Sequence, residues 1–294
     1  MPSLTRFIPL LFVLLWSTGF IGAKYALPYI EPFYVLFLRM DIVIVVFIVL
    51  ALWFKSRWPT RKQALHQMVT GSLIHATYLG GVFAAIHWGL PAGVTSLYVG
   101  LQPIVVAILA WWLLKERLRP MQWMGLVLGL TGVTLVLLRG DDLDINHFTN
   151  RNALIAGTLA LLGISLGALY QKRYGAGTDL ITGSLFQYIA TALWMGLLAY
   201  GLETREVQWR PELIAALAWL VLGLSVVAIL LLMYMIREGE ASKVSSYFYL
   251  VPPVTALESW LLFDERLNGI GIVGMGLAVV GVYLVIRKPF SLPQ

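Results

Sequence analysis

Tyr98-Val-Gly-Leu-Gln-Pro103, leading into Trp111-Trp-Leu-Leu-Lys-Glu116-Arg117-Leu118, decides the fold because it occurs twice. The second copy is Tyr247-Phe-Tyr-Leu-Val-Pro252, leading into Trp260-Leu-Leu-Phe-Asp-Glu265-Arg266-Leu267. One offset of 149 residues carries Tyr98 to Tyr247, Pro103 to Pro252, Trp111 to Trp260 and Glu116 to Glu265, with no gap. The same offset carries Gly125, Gly132 and Val133 to Gly274, Gly281 and Val282. A period of about half the chain makes the repeating unit a half-protein, so the chain is read as a duplication.

Composition says what each half is. The 294 residues are 59% hydrophobic and only 12% charged, with a mean hydropathy of +0.81. Soluble domains carry about twice that charge. The apolar residues fall in runs of roughly 20, long enough to cross about 30 Å of hydrocarbon as helix. Strand alternation is absent, which argues against a membrane barrel. Net charge +6 does not point to nucleic acid, because the basic residues sit in short loops. With no cysteine, disulfides and thiolate metal sites are excluded. Arg6 before an apolar run imitates a signal peptide, but the run lacks a small-x-small cleavage site and is read as a retained first span.

The fold class expected is all-α membrane protein, with spans at about 7–26, 33–53, 68–88, 91–114, 121–138, 152–171, 178–201, 212–236, 243–263 and 270–286. Ten helices divide five and five. Five is odd, so the second half must lie inverted, as in many secondary transporters. The halves are placed at 1–140 and 152–294, with 141–151 as an outer linker. Basic residues orient the chain. With both termini cytoplasmic, the inner segments hold Arg6, Lys55, Arg57, Arg61, Lys62, Lys115, Arg117, Arg119, Lys172, Arg173, Arg237, Lys243, Arg287 and Lys288. The outer loops hold only Arg139, Arg151, Arg205, Arg210 and Arg266. A cytoplasmic (inner) membrane location follows as the expectation. Gly125, Gly129 and Gly132 line one face of the fifth span, Gly274, Ala278 and Gly281 repeat them in the tenth, and Gly163-x-x-x-Gly167 marks the sixth. Small residues at that spacing let helices approach closely in lipid.

The chain resembles the drug/metabolite transporter superfamily, in its ten-helix EamA-type branch. The resemblance rests on Trp16-Ser-Thr-Gly-Phe-Ile-Gly-Ala-Lys24, Arg39, Pro91-Ala-Gly with Pro103 and Glu116-Arg117-Leu118, and Ala241-Ser with Pro252 and Glu265-Arg266-Leu267. It implies export or exchange of small metabolites, amino acids or drug-like amines through a cavity between the halves. It names no single substrate. Asp41, His75, His87 and Glu258 depart from the shared pattern.

Ionisable groups inside a membrane cost about 2.5–3.5 kcal/mol and are functional suspects. Glu258 stands mid-span where the first half has Leu109. A lone carboxylate that exchanges a proton as its surroundings alternate is a coupling device, so Glu258 and Asp41 are the proton-coupling candidates. The alternative for each is a buried or paired carboxyl. Arg39 and Asp41 are two residues apart, roughly 200° around a helix, and are not each other's natural partners. Arg39 can pair with a substrate carboxylate or with an internal acid. His75 shares a face with Tyr78 and is either a hydrogen-bonded packing residue or a proton relay. No metal site is expected, because there is no His-x-x-x-His and no acid at ligand spacing.

Pro103 and Pro252 each remove a backbone hydrogen bond inside a span, and breaks at matching places in two halves point to a central site and to hinges. Tyr98, Gln102, Tyr247 and Tyr249 lie around those breaks, with Gln187 and Tyr188 expected opposite. These six, with Trp16, His75 and Arg39, are the substrate-binding candidates. Aromatic rings stack flat or cationic solutes, though Trp111 and Trp260 near span ends also read as interface anchors.

The function expected is secondary transport by alternating access, proton-coupled through Glu258 or Asp41. No Gly-x-x-x-x-Gly-Lys-[Ser/Thr] is present, so ATP does not drive it, and no cofactor is expected. The partners are a small-molecule substrate, the bilayer and protons, with the protein a monomer or homodimer. The alternative is a membrane-embedded enzyme or a non-transporting subunit. An enzyme would need a nucleophile–base or metal set, and neither Gly-x-Ser-x-Gly nor His-Glu-x-x-His occurs.

Overall fold

A computed structural model describes residues 7–90, 95, 99–137, 150–239, 241–263 and 269–286. Among them run ten helical segments: α1 Ile8–Ala26, α2 Pro32–Trp53, α3 Arg61–His87, α4 Gln102–Leu113, α5 Pro120–Leu137, α6 Arg151–Tyr174, α7 Leu180–Leu202, α8 Pro211–Glu238, α9 241–263 and α10 Gly269–Ile286. Six of these, α2, α3, α6, α7, α8 and α10, are long and apolar enough to cross a membrane, and α1 and α4 are shorter apolar helices.

Helix starts follow local chemistry. Asn150 accepts from the N–H groups of Asn152 and Ala153 to cap α6, and Asp179 accepts from Ile181 and Thr182 to cap α7. Thr60 and Gln63 form a capping box at α3, which therefore begins seven residues before the hydropathy estimate, in a polar turn that a hydropathy window discards. Two helices borrow their caps from the other half. Glu203, just past α7, accepts from Phe33 N–H and Tyr34 N–H at the start of α2, 2.7 Å each. Glu116, just past α4, accepts from Ala241 N–H at 3.2 Å and from Ser242 N–H and Oγ at 3.4 and 2.9 Å, at the start of α9. Carboxylates there satisfy free N–H groups and meet the positive end of the helix dipole. Glu116 thus caps α9 across the molecule, and not the helix that follows it in sequence.

The packing repeats the duplication. α2 lies against α7 and α5 against α10. α3 packs on α6 and α7, and its counterpart α8 packs on α1 and α2; α4 packs on α6, and its counterpart α9 on α1. The paired helices are antiparallel. The start of α7 reaches the segment after α2 through Thr182 Oγ1 to Arg57 O at 2.8 Å, while the end of α7 caps the start of α2. Gln122 Nε2, early in α5, donates to Val285 O, late in α10, at 3.1 Å. The halves are therefore inverted repeats.

Two features bring backbones together. The α5–α10 seam is closed by glycine: a Cβ on Gly281 would lie 2.5 Å from Gly129 N, and one on Gly132 would lie 2.4 Å from Ala278 N. Elsewhere, α3 opens into a π-helix at Ser72–Thr77 and α8 at Leu220–Ala228. The 149-residue offset carries the first stretch into the second. Such wide turns leave carbonyls in need of partners, and Thr77 Oγ1 supplies one to Ser72 O at 2.8 Å. Glycines let the neighbours in, since a Cβ on Gly163 of α6 would meet Leu73 O at 2.8 Å and one on Gly19 of α1 would meet Leu224 Cδ2 at 2.6 Å.

Candidate functional site

The paired π stretches both contribute to the wall of one narrow cavity of about 40 Å³, His75 from the first and Leu224 and Ser225 from the second. That is room for a few water molecules. Helices α1, α2 and α3 of the first half line it with Trp16, Arg39, His75 and Tyr78; α7 and α8 of the second supply Tyr188, Leu224 and Ser225. The lining is paired by the duplication, because the offset carries Arg39 to Tyr188 and His75 to Leu224.

Arg39 dominates it. The residue is 3% exposed, and its Nε donates to Ser225 Oγ at 2.8 Å. No carboxylate pairs with it among the described residues. Tyr188 stacks on His75, ring centroids 4.8 Å apart at 22°, and its hydroxyl donates to Ser225 O. Trp16 stacks on Tyr78 at 6.2 Å and meets Phe248 edge-on at 5.4 Å. The floor is polar and fully buried: His75 Nε2 lies 3.1 Å from Gln187 Oε1, and Gln187 Nε2 donates to Gln67 Oε1 at 2.6 Å. With the amide oriented that way, Nε2 of His75 is the donor.

The structure gathers part of the residue set chosen from sequence. Trp16, Arg39, His75 and Tyr188 line the cavity, and Gln187 holds His75 from behind. Tyr249 packs in the α5–α10 seam, where Gly129 makes room for its ring, and Tyr247 lies between that seam and the main core; neither lines the cavity. Gln102 is buried in α4 with Oε1 unpartnered among the described residues. Tyr98 lies outside the described residues. Pro103 and Pro252 sit in the first turns of regular helix, Pro252 directly after a 3-10 turn at Tyr247–Leu250, and a missing N–H costs nothing there. Of the two acids, Asp41 projects from the exposed face of α2, opposite Arg39, with no hydrogen bond or ion pair among the described residues. Glu258 sits between α9 and α1 with Oε1 2.6 Å from Ser17 Oγ and Oε2 buried without a partner there. Neither acid lines the cavity. Sequence reasoning missed Ser225 and Leu224. Projecting Ala76 and His75 by 149 residues would have found both.

The EamA-like transporter family matches this chain over residues 6–138 and 151–287. A Bacillus subtilis (strain 168) protein named "Uncharacterized transporter YvbV" is 26% identical over 287 residues, covering 94% of this chain and 89% of that one. The Escherichia coli (strain K12) "Uncharacterized inner membrane transporter YedA" is 26% identical over 262 residues, covering 87% and 81%. One solved crystal structure shares the fold at a TM-score of 0.81 with 20% identity, covering 97% of each chain. The duplicated, inverted helices and the twofold family match have one meaning: the chain is a multi-pass membrane protein of the EamA-like transporter family.

Proposed function

We propose that this protein is a secondary transporter that carries a small metabolite through the Arg39 cavity by alternating access. The supporting observation is that both halves line one narrow cavity, and that equivalent π-helical breaks, one from each half, contribute to its wall. A space this small is the occluded end of a cycle, and rocking of α3 against α8 enlarges it toward one face at a time. The basic-residue pattern puts the Glu116 end in the cytoplasm, and with YedA it supports an inner-membrane location. A cysteine placed at Asp142 then reacts with an impermeant thiol reagent on whole cells; labelling only after lysis reverses the orientation. Export is the direction the family resemblance favours.

Proton coupling is assigned to Glu258. Ser17 has one hydroxyl proton and two acceptors in reach, Leu14 O at 2.9 Å and Glu258 Oε1 at 2.6 Å. A proton on Glu258, donated to Ser17 Oγ, satisfies the whole chain, and its loss strips the α1–α9 contact of a donor. The test is uptake into proteoliposomes of a mixed solute panel with and without an imposed pH gradient. Gradient-dependent accumulation is the expected result. Equilibration indifferent to the gradient makes the protein a facilitator, and no flux of any solute overturns the transport reading.

A further inference from the structure

We infer that the solute this cavity takes is an organic acid with one carboxylate on an apolar, aromatic-sized body, and that Arg39 is its anion site. The inference rests on the transport reading for the site's purpose but not for its chemistry. A guanidinium buried to 3% exposure needs a counter-charge or a full set of acceptors. Among the described residues the guanidinium makes one hydrogen bond, Nε to Ser225 Oγ, and no acid there lines the cavity or pairs with Arg39. The outer edge of a guanidinium carries paired N–H groups, the geometry that takes a carboxylate end-on through two parallel hydrogen bonds.

The rest of the wall selects what the carboxylate is attached to. Trp16, Tyr78 and Tyr188 line it with aromatic rings, and the hydroxyl of Tyr188 is already committed to Ser225 O. That surface suits an apolar or aromatic group and offers little to a sugar or a polyphosphate. An organic amine meets a fixed positive charge with no lining carboxylate to offset it, so drug-like cations are excluded by the same arrangement.

Three isosteric probes test this on the purified protein: phenylacetate, phenylacetamide and phenethylamine, with chloride as the inorganic anion. Binding is read by quenching of tryptophan fluorescence, and flux by proteoliposome uptake. Phenylacetate is expected to bind at least tenfold more tightly than the amide, with no binding of the amine, and Arg39→Gln is expected to level acid and amide. Equal or better binding of amide or amine overturns the anion site whether or not flux is seen. Competition by chloride at equal potency overturns the organic-acid part. Binding of phenylacetate without flux upholds the anion site, and it sinks the transport reading only where the mixed panel shows no flux either. The wild-type comparison of acid with amide stands even if Arg39→Gln does not fold.

Discussion

The α5–α10 seam and the cavity between α2, α3, α7 and α8 are both built across the duplication, and they treat it in opposite ways. The seam keeps both copies alike: Gly125 and Gly132 in one helix, Gly274 and Gly281 in the other, each meeting the partner's backbone. At the cavity the positions are kept and the chemistry is not, since the offset pairs Arg39 with Tyr188 and His75 with Leu224. Two antiparallel backbones touch only where the residues at the contact are glycine or as small as Ala278, so contact geometry keeps both copies small. A solute has no such symmetry, and a site that binds one end of a molecule needs a charge on one side only.

The largest effect expected is on the seam. Gly281→Ala puts a methyl 2.5 Å from Gly129 N and 2.6 Å from Gly125 O, backbone atoms that cannot swing aside. Overpacking of that kind costs about 1–3 kcal/mol or more. Gly276→Ala, on the same helix with nothing within 4 Å of its Cβ, is the control and should be neutral. Thermal unfolding in detergent compares them. Equal midpoints would show that the seam is looser than drawn and that its symmetry is not a packing constraint.

Next comes the second place where the halves diverge. The contact of α1 with α9 holds Ser17 and Glu258, while α6 and α4, which also pack together, carry Leu166 and Leu109 at the positions 149 residues away. The apolar version shows that helix contact here needs no acid. Glu258→Gln keeps the shape and removes the exchangeable proton, so gradient-driven accumulation should fall about tenfold or more, to the equilibrated level, while binding persists. A variant that still accumulates solute on a pH gradient returns Glu258 to a structural role.

The same contrast explains what could be read in advance. The 149-residue period revealed the inverted halves and the glycine seam, because symmetric contacts write themselves twice. The cavity is asymmetric and wrote nothing twice. Trp16, Arg39, His75 and Tyr188 stood out as polar or aromatic groups in apolar spans, but Tyr247 and Tyr249 stood out equally and pack at the seam. Only the three-dimensional meeting of α1, α2 and α3 with α7 and α8 around one cavity separates the two sets. The π stretches were illegible, because a shifted hydrogen-bond register leaves no trace in hydropathy; the Gly19 and Gly163 contacts that permit them are visible only in three dimensions.

The smallest effect expected concerns the end of the bundle where each half holds the other by a carboxylate. Glu203 caps α2, and Glu31 accepts from Thr204 Oγ1 and Arg205 N–H at 2.8 Å each. Burial pushes the Glu203 carboxyl above the ordinary glutamate value, against the pull of Phe33 and Tyr34 N–H and with nearby Glu31 adding to the rise. At Glu31 burial is the largest single influence and raises the carboxyl, but the Thr204 hydroxyl and the Arg205 and Thr204 N–H groups together outweigh it, and the carboxyl lies below that value. The signs are opposite. Glu203 takes up a proton more readily folded than unfolded, so its contribution favours the fold below about pH 4.5 and is lost as pH rises through the raised value. Glu31 favours the fold above that pH, and its contribution is lost as pH falls through the lowered one. Glu203→Gln should therefore remove a decline in the unfolding midpoint just above pH 4.5, and Glu31→Gln a decline just below it. Both carboxylates are well enough solvated that the shifts should be only a few degrees or less. Midpoints measured from pH 3.5 to 6.5 for wild type and the two variants decide it. If both variants change the profile in the same direction, the two carboxylates act as one charge at that end and the reciprocal clamp is not what holds it.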